Sequence, residues 1–140
     1  MAKFDPYLNF PGNAEEAMNF YRSIFGTEFI TLQRYKDTPF AERTPPEDKE
    51  KIMHASLPIG GGTILMATDT LASMGQKLTI GNNVSIAISP ESEEEANNLF
   101  NALSAGGTVT MPLVKVYWGS YFGMLTDKFG IHWLVNYELK

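Results

Sequence analysis

The chain has 140 residues, of which 44% are hydrophobic and 19% charged, with no cysteine and a formal net charge of −5 at pH 7. This length and apolar share suit one domain of one or two layers; the absence of cysteine excludes disulfides and thiolate metal sites, so any metal would rest on His, Asp, Glu or amide ligands. An acidic balance without clustered Lys and Arg excludes nucleic acid as a partner, no apolar run approaches the roughly 20 residues of a bilayer span, and MAKFDPYLNF lacks a basic-then-apolar leader, so a cytoplasmic protein without a membrane partner is expected.

Phe4 to Phe10 alternates, with Leu8 and Phe10 on one side and Asp5, Tyr7 and Asn9 on the other, which predicts a half-buried first strand. Asn13 is the expected cap of a helix whose Ala17, Phe20, Tyr21 and Ile24 share a side and which ends at Gly26. Glu28 to Tyr35 reads as a strand, and the charged, Pro-broken stretch Pro39 to Lys51 as a long loop or flap. Ile52 to Ile59 and Thr63 to Thr68 are strands joined at Gly60-Gly61-Gly62, a hairpin turn and not a phosphate loop, because no Lys-Ser/Thr pair follows the glycines. Leu71 to Gly81 reads as a linker. Beyond it come strand Val84 to Ile88, helix Glu91 to Leu103 with an acidic start that suits its dipole, and strands Thr108 to Val114, Tyr121 to Asp127 and Ile131 to Glu138.

The second series repeats the first. NAEEAMNFY at Asn13 to Tyr21 matches ESEEEANNLF at Glu91 to Phe100, and superposing Ala14 on Glu93 gives an offset of 93 − 14 = 79 residues. Two copies are too few for a stacked array. The expected organisation is therefore a single domain over residues 1–140, with module 1 at about 3–70, a linker at about 71–81 and module 2 at about 82–140. The class is α+β: duplicated β-α-β-β-β modules forming a curved, mostly antiparallel sheet of eight strands, with the helices on its convex face.

With PYLNFPGNAEEAMNFY at the front, HASLPIGGGTILMATD in the middle and WGSYFGMLTDKFGIHWLVN at the end, the chain resembles the PhnB-like branch of the vicinal oxygen chelate (glyoxalase/bleomycin resistance/dioxygenase) superfamily over nearly its whole length. A 3-demethylubiquinone methyltransferase label also attaches to this branch. Such an activity is not expected of a chain this short that lacks a Gly-rich strand-to-helix turn. The resemblance implies a divalent metal held inside the curved sheet by the first and last strands of each module. Superposing the modules puts those positions at Asp5, Asn83, Met66 and Leu134, with Met66 and Leu134 in the slots where metal-using relatives carry glutamate. One carboxylate and one amide fall short of the roughly three N/O ligands such a cation needs. The metal site reads as degraded, and no cofactor is expected.

Alternation leaves Tyr7, Asn9 and Ser85 as polar candidates for a small-molecule pocket on the concave face, and places His54 and His132, the only histidines, on that face as well. Either the two histidines meet Asp5, Asp69 or Glu138 and rebuild a metal site, or His132 is a rim residue and His54 a hydrogen-bonded strand residue; a neutral imidazole also suits general-base work without metal. Trp118 in the Tyr117-Trp118-Tyr121-Phe122 cluster, together with the Pro39 to Lys51 loop, is expected near the pocket mouth, unless the cluster is core or dimer interface. Trp133 should pack under a helix, Asp127 should shape the last hairpin, and Asn136 should offer a cavity amide or pair with a neighbouring strand. The acidic helix starts at Glu15-Glu16 and Glu93 to Glu95 are expected to be solvated only. Metal-independent ligand binding or catalysis by a homodimer is the favoured function. The alternatives are a metal-dependent lyase or isomerase with a rearranged site, and a protein whose cavity is filled by its own side chains.

Overall fold

A strand of four residues, β1 (Tyr7–Phe10), leads through Gly12 into α1 (Ala14–Phe25), which ends at Gly26 in the left-handed conformation. After β2 (Thr31–Arg34), the Pro39 to Lys51 stretch is built from two short 3-10 turns, Ala41–Arg43 and Pro46–Asp48, and is tied back by Lys36 N–H donating to Lys49 O at 3.0 Å. β3 (Ile52–Gly60) and β4 (Thr63–Asp69) form the hairpin expected from the glycine triplet; Gly60, Gly61 and Gly62 all have positive φ, a conformation glycine adopts without steric cost. The second half runs β5 (Ile86–Ile88), α2 (Glu93–Ser104), β6 (Thr108–Val116), β7 (Ser120–Thr126) and β8 (His132–Glu138). This computed structural model describes residues 1–139 and comprises two compact units, Met1–Thr79 and the residues from Ile80 onward.

Each unit carries its own four-stranded sheet, ordered β1-β4-β3-β2 in the first and β5-β8-β7-β6 in the second. The first and last strands of each module are parallel neighbours, joined by a long connection through the helix and the other two strands; the other pairings are antiparallel. The expected α+β class and duplicated order are present, and the eight strands are hydrogen-bonded as two ladders of four.

Register assigns the faces. In the first unit Phe10, Leu57, Leu65 and Ala67 are buried beneath α1, which contributes Ala14, Ala17, Met18 and Tyr21 to the same core. In the second, Leu125, Trp133 and Val135 lie beneath Ala96, Phe100 and Leu103 of α2. Gly123 marks the closest approach there, since a Cβ on it would stand 2.7 Å from Phe100 Cε2.

Three local expectations need correction. Asn13 occupies the N-cap of α1 but makes no side-chain cap; Ala14 N–H donates instead to Asp69 Oδ1 at 2.9 Å. β5 is shorter than expected, so Val84 lies ahead of it at 74% exposure and not on the helix-facing side, and Asn83 and Ser85 also precede the strand. The acidic helix starts are engaged: Glu15 forms a two-pronged pair with Arg34 at 2.9 and 2.6 Å, and Glu95 Oε1 accepts from Glu91 N–H at 2.8 Å.

Candidate functional site

On the first unit's sheet, the side chains opposite α1 come from Tyr7 and Asn9 of β1, Ile64, Met66 and Thr68 of β4, His54, Ser56 and Pro58 of β3, and Thr31 and Gln33 of β2, as the pairings Tyr7 with Met66, Ser56 with Met66 and Gln33 with His54 require. None is an acid, a lysine or an arginine. Tyr7 and His54 reach across β4 and stack, with ring centroids 5.9 Å apart and planes at 28°. Among the described residues, no hydrogen bond uses the His54 ring nitrogens or the Tyr7 hydroxyl, and Tyr7 is 48% exposed. The face thus presents an imidazole, a phenol and the Asn9 amide on an uncharged surface.

The corresponding face of the second unit carries Ala87, His132, Leu134, Asn136, Phe122 and Met124, by the pairings Ala87 with Leu134, Phe122 with Asn136 and Met124 with Leu134. His132 is held at both nitrogens, Nδ1 at 2.9 Å from Thr126 Oγ1 and Nε2 at 3.0 Å from the Gly81 carbonyl oxygen. A carbonyl can only accept, so Nε2 carries the proton, and in the neutral ring Nδ1 accepts from the threonine hydroxyl. No lone pair remains for a substrate or a metal. Asn136 Oδ1 is buried without a hydrogen-bond partner. Trp118, in the turn before β7, meets Phe122 edge-on at 5.6 Å and Tyr117 at 5.1 Å. Tyr121 points to the other side, where its hydroxyl donates to Asn97 Oδ1 at 2.6 Å.

The donor set does not fit a divalent cation. Met66 stands beside Tyr7 and Leu134 beside Ala87, so both slots that the family resemblance assigns to glutamate hold apolar side chains. Asp5 lies ahead of β1, not in it; its carboxylate accepts from Ile64 N–H at 2.9 Å and from Lys3 Nζ, and these bonds hold its pKa below the ordinary value. Asp69 belongs to the opposite face from His54. It is buried, accepts from Ala14 N–H and Ile52 N–H, and its pKa is raised because burial outweighs these bonds and the nearby Lys51 charge. Among the described residues, no three His, Asp or Glu side chains converge to hold a metal.

A feature not read from the sequence is a cleft of about 200 Å³ in the first unit, between the Pro46–Asp48 turn and residues 70–78. Its wall contains a buried carboxylate, Asp48, whose two oxygens are bound by Lys51 Nζ at 2.7 Å and by the Ser73 hydroxyl. These bonds hold the Asp48 pKa below its ordinary value. The stretch PFAERTPPEDKEK reads in the sequence as a charged loop or flap; only the fold shows that one of its charges is buried.

The sequence profile of the 3-demethylubiquinone-9 3-methyltransferase family matches residues 2–136. Among solved structures, protein PA1353 from Pseudomonas aeruginosa is 38% identical, covers 100% of both chains and superposes with a TM-score of 0.87. A putative 3-demethylubiquinone-9 3-methyltransferase, PhnB protein, from Bacillus cereus is 31% identical over 97% of this chain and 99% of its own, with a TM-score of 0.78. A glyoxylase/bleomycin resistance protein/dioxygenase domain from Frankia sp. EAN1pec shares the fold at 12% identity, with a TM-score of 0.69 over 100% of this chain and 94% of its own.

Proposed function

We propose that this chain, which belongs to the PhnB-like 3-demethylubiquinone-9 3-methyltransferase family and shares the fold of a glyoxylase/bleomycin resistance protein/dioxygenase domain, binds an uncharged small molecule on the helix-free face of its first unit without a metal. The observation that supports this reading is the stacked pair of Tyr7 and His54 beside Asn9, on a face that carries no charged side chain. A planar, neutral ligand would lie against the rings and exchange hydrogen bonds with the phenol, imidazole and amide, while an ionic one would lose hydration without gaining a counter-charge. If the bound molecule has an acidic C–H or O–H, the open His54 nitrogen is the group to receive its proton. In the second unit both nitrogens of His132 are taken, so it is not proposed as a base.

Methyl transfer is not part of this reading. Both sheets are mixed and carry one helix apiece, without the parallel sheet and Gly-rich turn that grip a nucleotide-like cofactor.

The test is ligand-observed NMR with uncharged planar fragments such as benzamide. Binding is expected to weaken several-fold in Tyr7→Phe and His54→Ala, the loss of about one hydrogen bond each, with melting temperatures close to that of the parent. Binding that needs added zinc or nickel, or that ignores both substitutions, would overturn the reading and promote the metal-dependent alternative. The same proposal includes a homodimer in the cytoplasm. β6 is an edge strand that leaves Val109, Met111 and Val114 exposed, the kind of edge that soluble proteins pair or cover. Light scattering should then report about twice the 15.6 kDa chain mass.

A further inference from the structure

We propose that the cleft beside Asp48 is a second binding site, for a small zwitterion of amino-acid size, independent of the Tyr7 and His54 face. The cleft and that face share no residue.

Lys51 lines the cleft, and of its three N–H donors one goes to Asp48 Oδ1 at 2.7 Å. Ser73 donates to the other Asp48 oxygen, so both carboxylate oxygens already accept a hydrogen bond. The carboxylate neutralises and aims the ammonium. Gln76 is oriented by Leu71 N–H, which donates to its Oε1 at 2.7 Å; this leaves the amide NH2 as a donor. Thr70, also in the lining, makes no side-chain hydrogen bond among the described residues. Three kinds of donor thus line one small space: ammonium, amide and hydroxyl.

The lining also holds Glu47, an exposed carboxylate whose charge adds to that of Asp48 in raising the Lys51 pKa. With the Asp48 and Lys51 charges cancelling, Glu47 leaves the cleft one negative charge in excess. A simple anion would satisfy the donors but meet Glu47, and a simple cation would satisfy Glu47 but meet Lys51. A molecule with a carboxylate at one end and an ammonium at the other answers both. Pro11, Ala72 and Leu78 supply a short apolar wall. A volume of about 200 Å³ lies below the roughly 300–1,000 Å³ of pockets for drug-sized ligands, which limits the occupant to a few heavy atoms.

The test is a 15N-edited NMR titration of the full chain with glycine, with acetate and methylammonium as single-charge controls at matched ionic strength. Glycine is expected to shift the backbone amides of Lys51, Thr70, Ser73 and Gln76 saturably in the millimolar range typical of ligands this small. Each control should bind at least about fivefold more weakly, the worth of one charge-assisted contact. Glu47→Gln alters an exposed side chain that makes no hydrogen bond among the described residues, so the fold should survive while the preference for glycine over acetate disappears. Lys51→Met strips the buried Asp48 of its counter-charge and risks the fold, so Thr70→Val serves as the donor-side variant and should weaken glycine alone. Acetate binding as tightly as glycine, a Glu47→Gln protein that keeps the preference, or no saturable shift at these amides would each overturn the proposal. None of these results touches benzamide binding at Tyr7 and His54, so the two readings fail separately.

Discussion

The helices α1 and α2 begin in different ways. The first N–H of α1 is held by Asp69, a carboxylate 55 residues further along the chain at the end of β4, which also takes Ile52 N–H at the start of β3. The start of α2 is held by Ser92, whose hydroxyl oxygen accepts from Glu95 N–H at 3.0 Å, three residues away. The histidines differ in the same spirit: His132 spends both nitrogens on its own module, whereas His54 spends neither. A duplicated module has thus kept its strand order and crossover while exchanging its local devices. Topology depends on the apolar pattern spread over the whole module, and many single polar contacts can serve one topology.

The contrast between the caps gives the largest expected effect. Asp69→Ala leaves two buried N–H groups unpaired in the first unit, at about 1–3 kcal/mol each, so a loss of about 2–6 kcal/mol is expected in urea unfolding. Its pH dependence has a defined sign. Burial raises the Asp69 pKa above its ordinary 3.8, so the folded chain holds this proton more tightly than the unfolded one does. The contribution of this group to stability therefore declines as pH rises from that ordinary value through the raised one. Asp69→Asn should lack that decline, and a wild-type profile parallel to that of the variant across this window would refute it.

The histidines come next. His132→Ala removes hydrogen bonds to Thr126 and Gly81 and should cost about 1–3 kcal/mol. His54→Ala removes no hydrogen bond among the described residues and should cost far less while impairing benzamide binding. Thermal melts of the two variants in parallel check this. Equal losses would mean that His54 is as structural as His132 and would remove the chemical group from the proposed face.

These asymmetries also mark what was legible in the sequence. Alternation in YLNF and HASLP, and the helical spacing of Ala17 and Tyr21, announce strands and helix because burial of one face imposes a period. The same reasoning places Tyr7 and Asn9 together on the face away from α1. It misses Asp69 as a cap, because a residue 55 positions away leaves no local signature; a favourable cap residue, Asn13, occupied the position and drew the inference instead. Asp48 was hidden for a similar reason. The charged, Pro-broken stretch reads as a loop or flap, and only the fold shows Lys51 and Ser73 closing over one of its charges. The His132 contact to Gly81 O spans 51 residues and is equally silent in the sequence.

On the second helix the cap is short-range, and its loss should be correspondingly contained. Ser92→Ala removes one acceptor at an exposed helix start and is expected to cost about 1 kcal/mol. Ser92→Asp should recover most of that, since a carboxylate accepts from the same N–H groups and faces the positive end of the helix dipole. Hydrogen exchange should confine the effect to the first turn of α2. A Ser92→Ala loss as large as that of Asp69→Ala would erase the distinction between a local and a long-range anchor.

The smallest effect tests whether α1 has a second anchor. Arg34 on β2 grips Glu15 in the first turn of α1 with two hydrogen bonds, and this contact lowers the Glu15 pKa while raising that of Arg34. Both side chains are partly exposed, at 25% for Arg34 and 43% for Glu15, so solvent screens the pair and about 0.2–1 kcal/mol is expected from a double-mutant cycle of Arg34→Met and Glu15→Gln. The sign with pH is opposite to that of Asp69. A depressed Glu15 pKa gives stability that is present above its ordinary value of 4.5 and lost as pH falls through the folded value. Added salt should shrink the coupling in the cycle while leaving the Asp69→Ala loss nearly intact, because exposed charges are screened and a buried carboxylate is much less so. If salt reduces both alike, Asp69 holds α1 by charge and not by its hydrogen bonds, and the two anchors of the first helix are the same in kind.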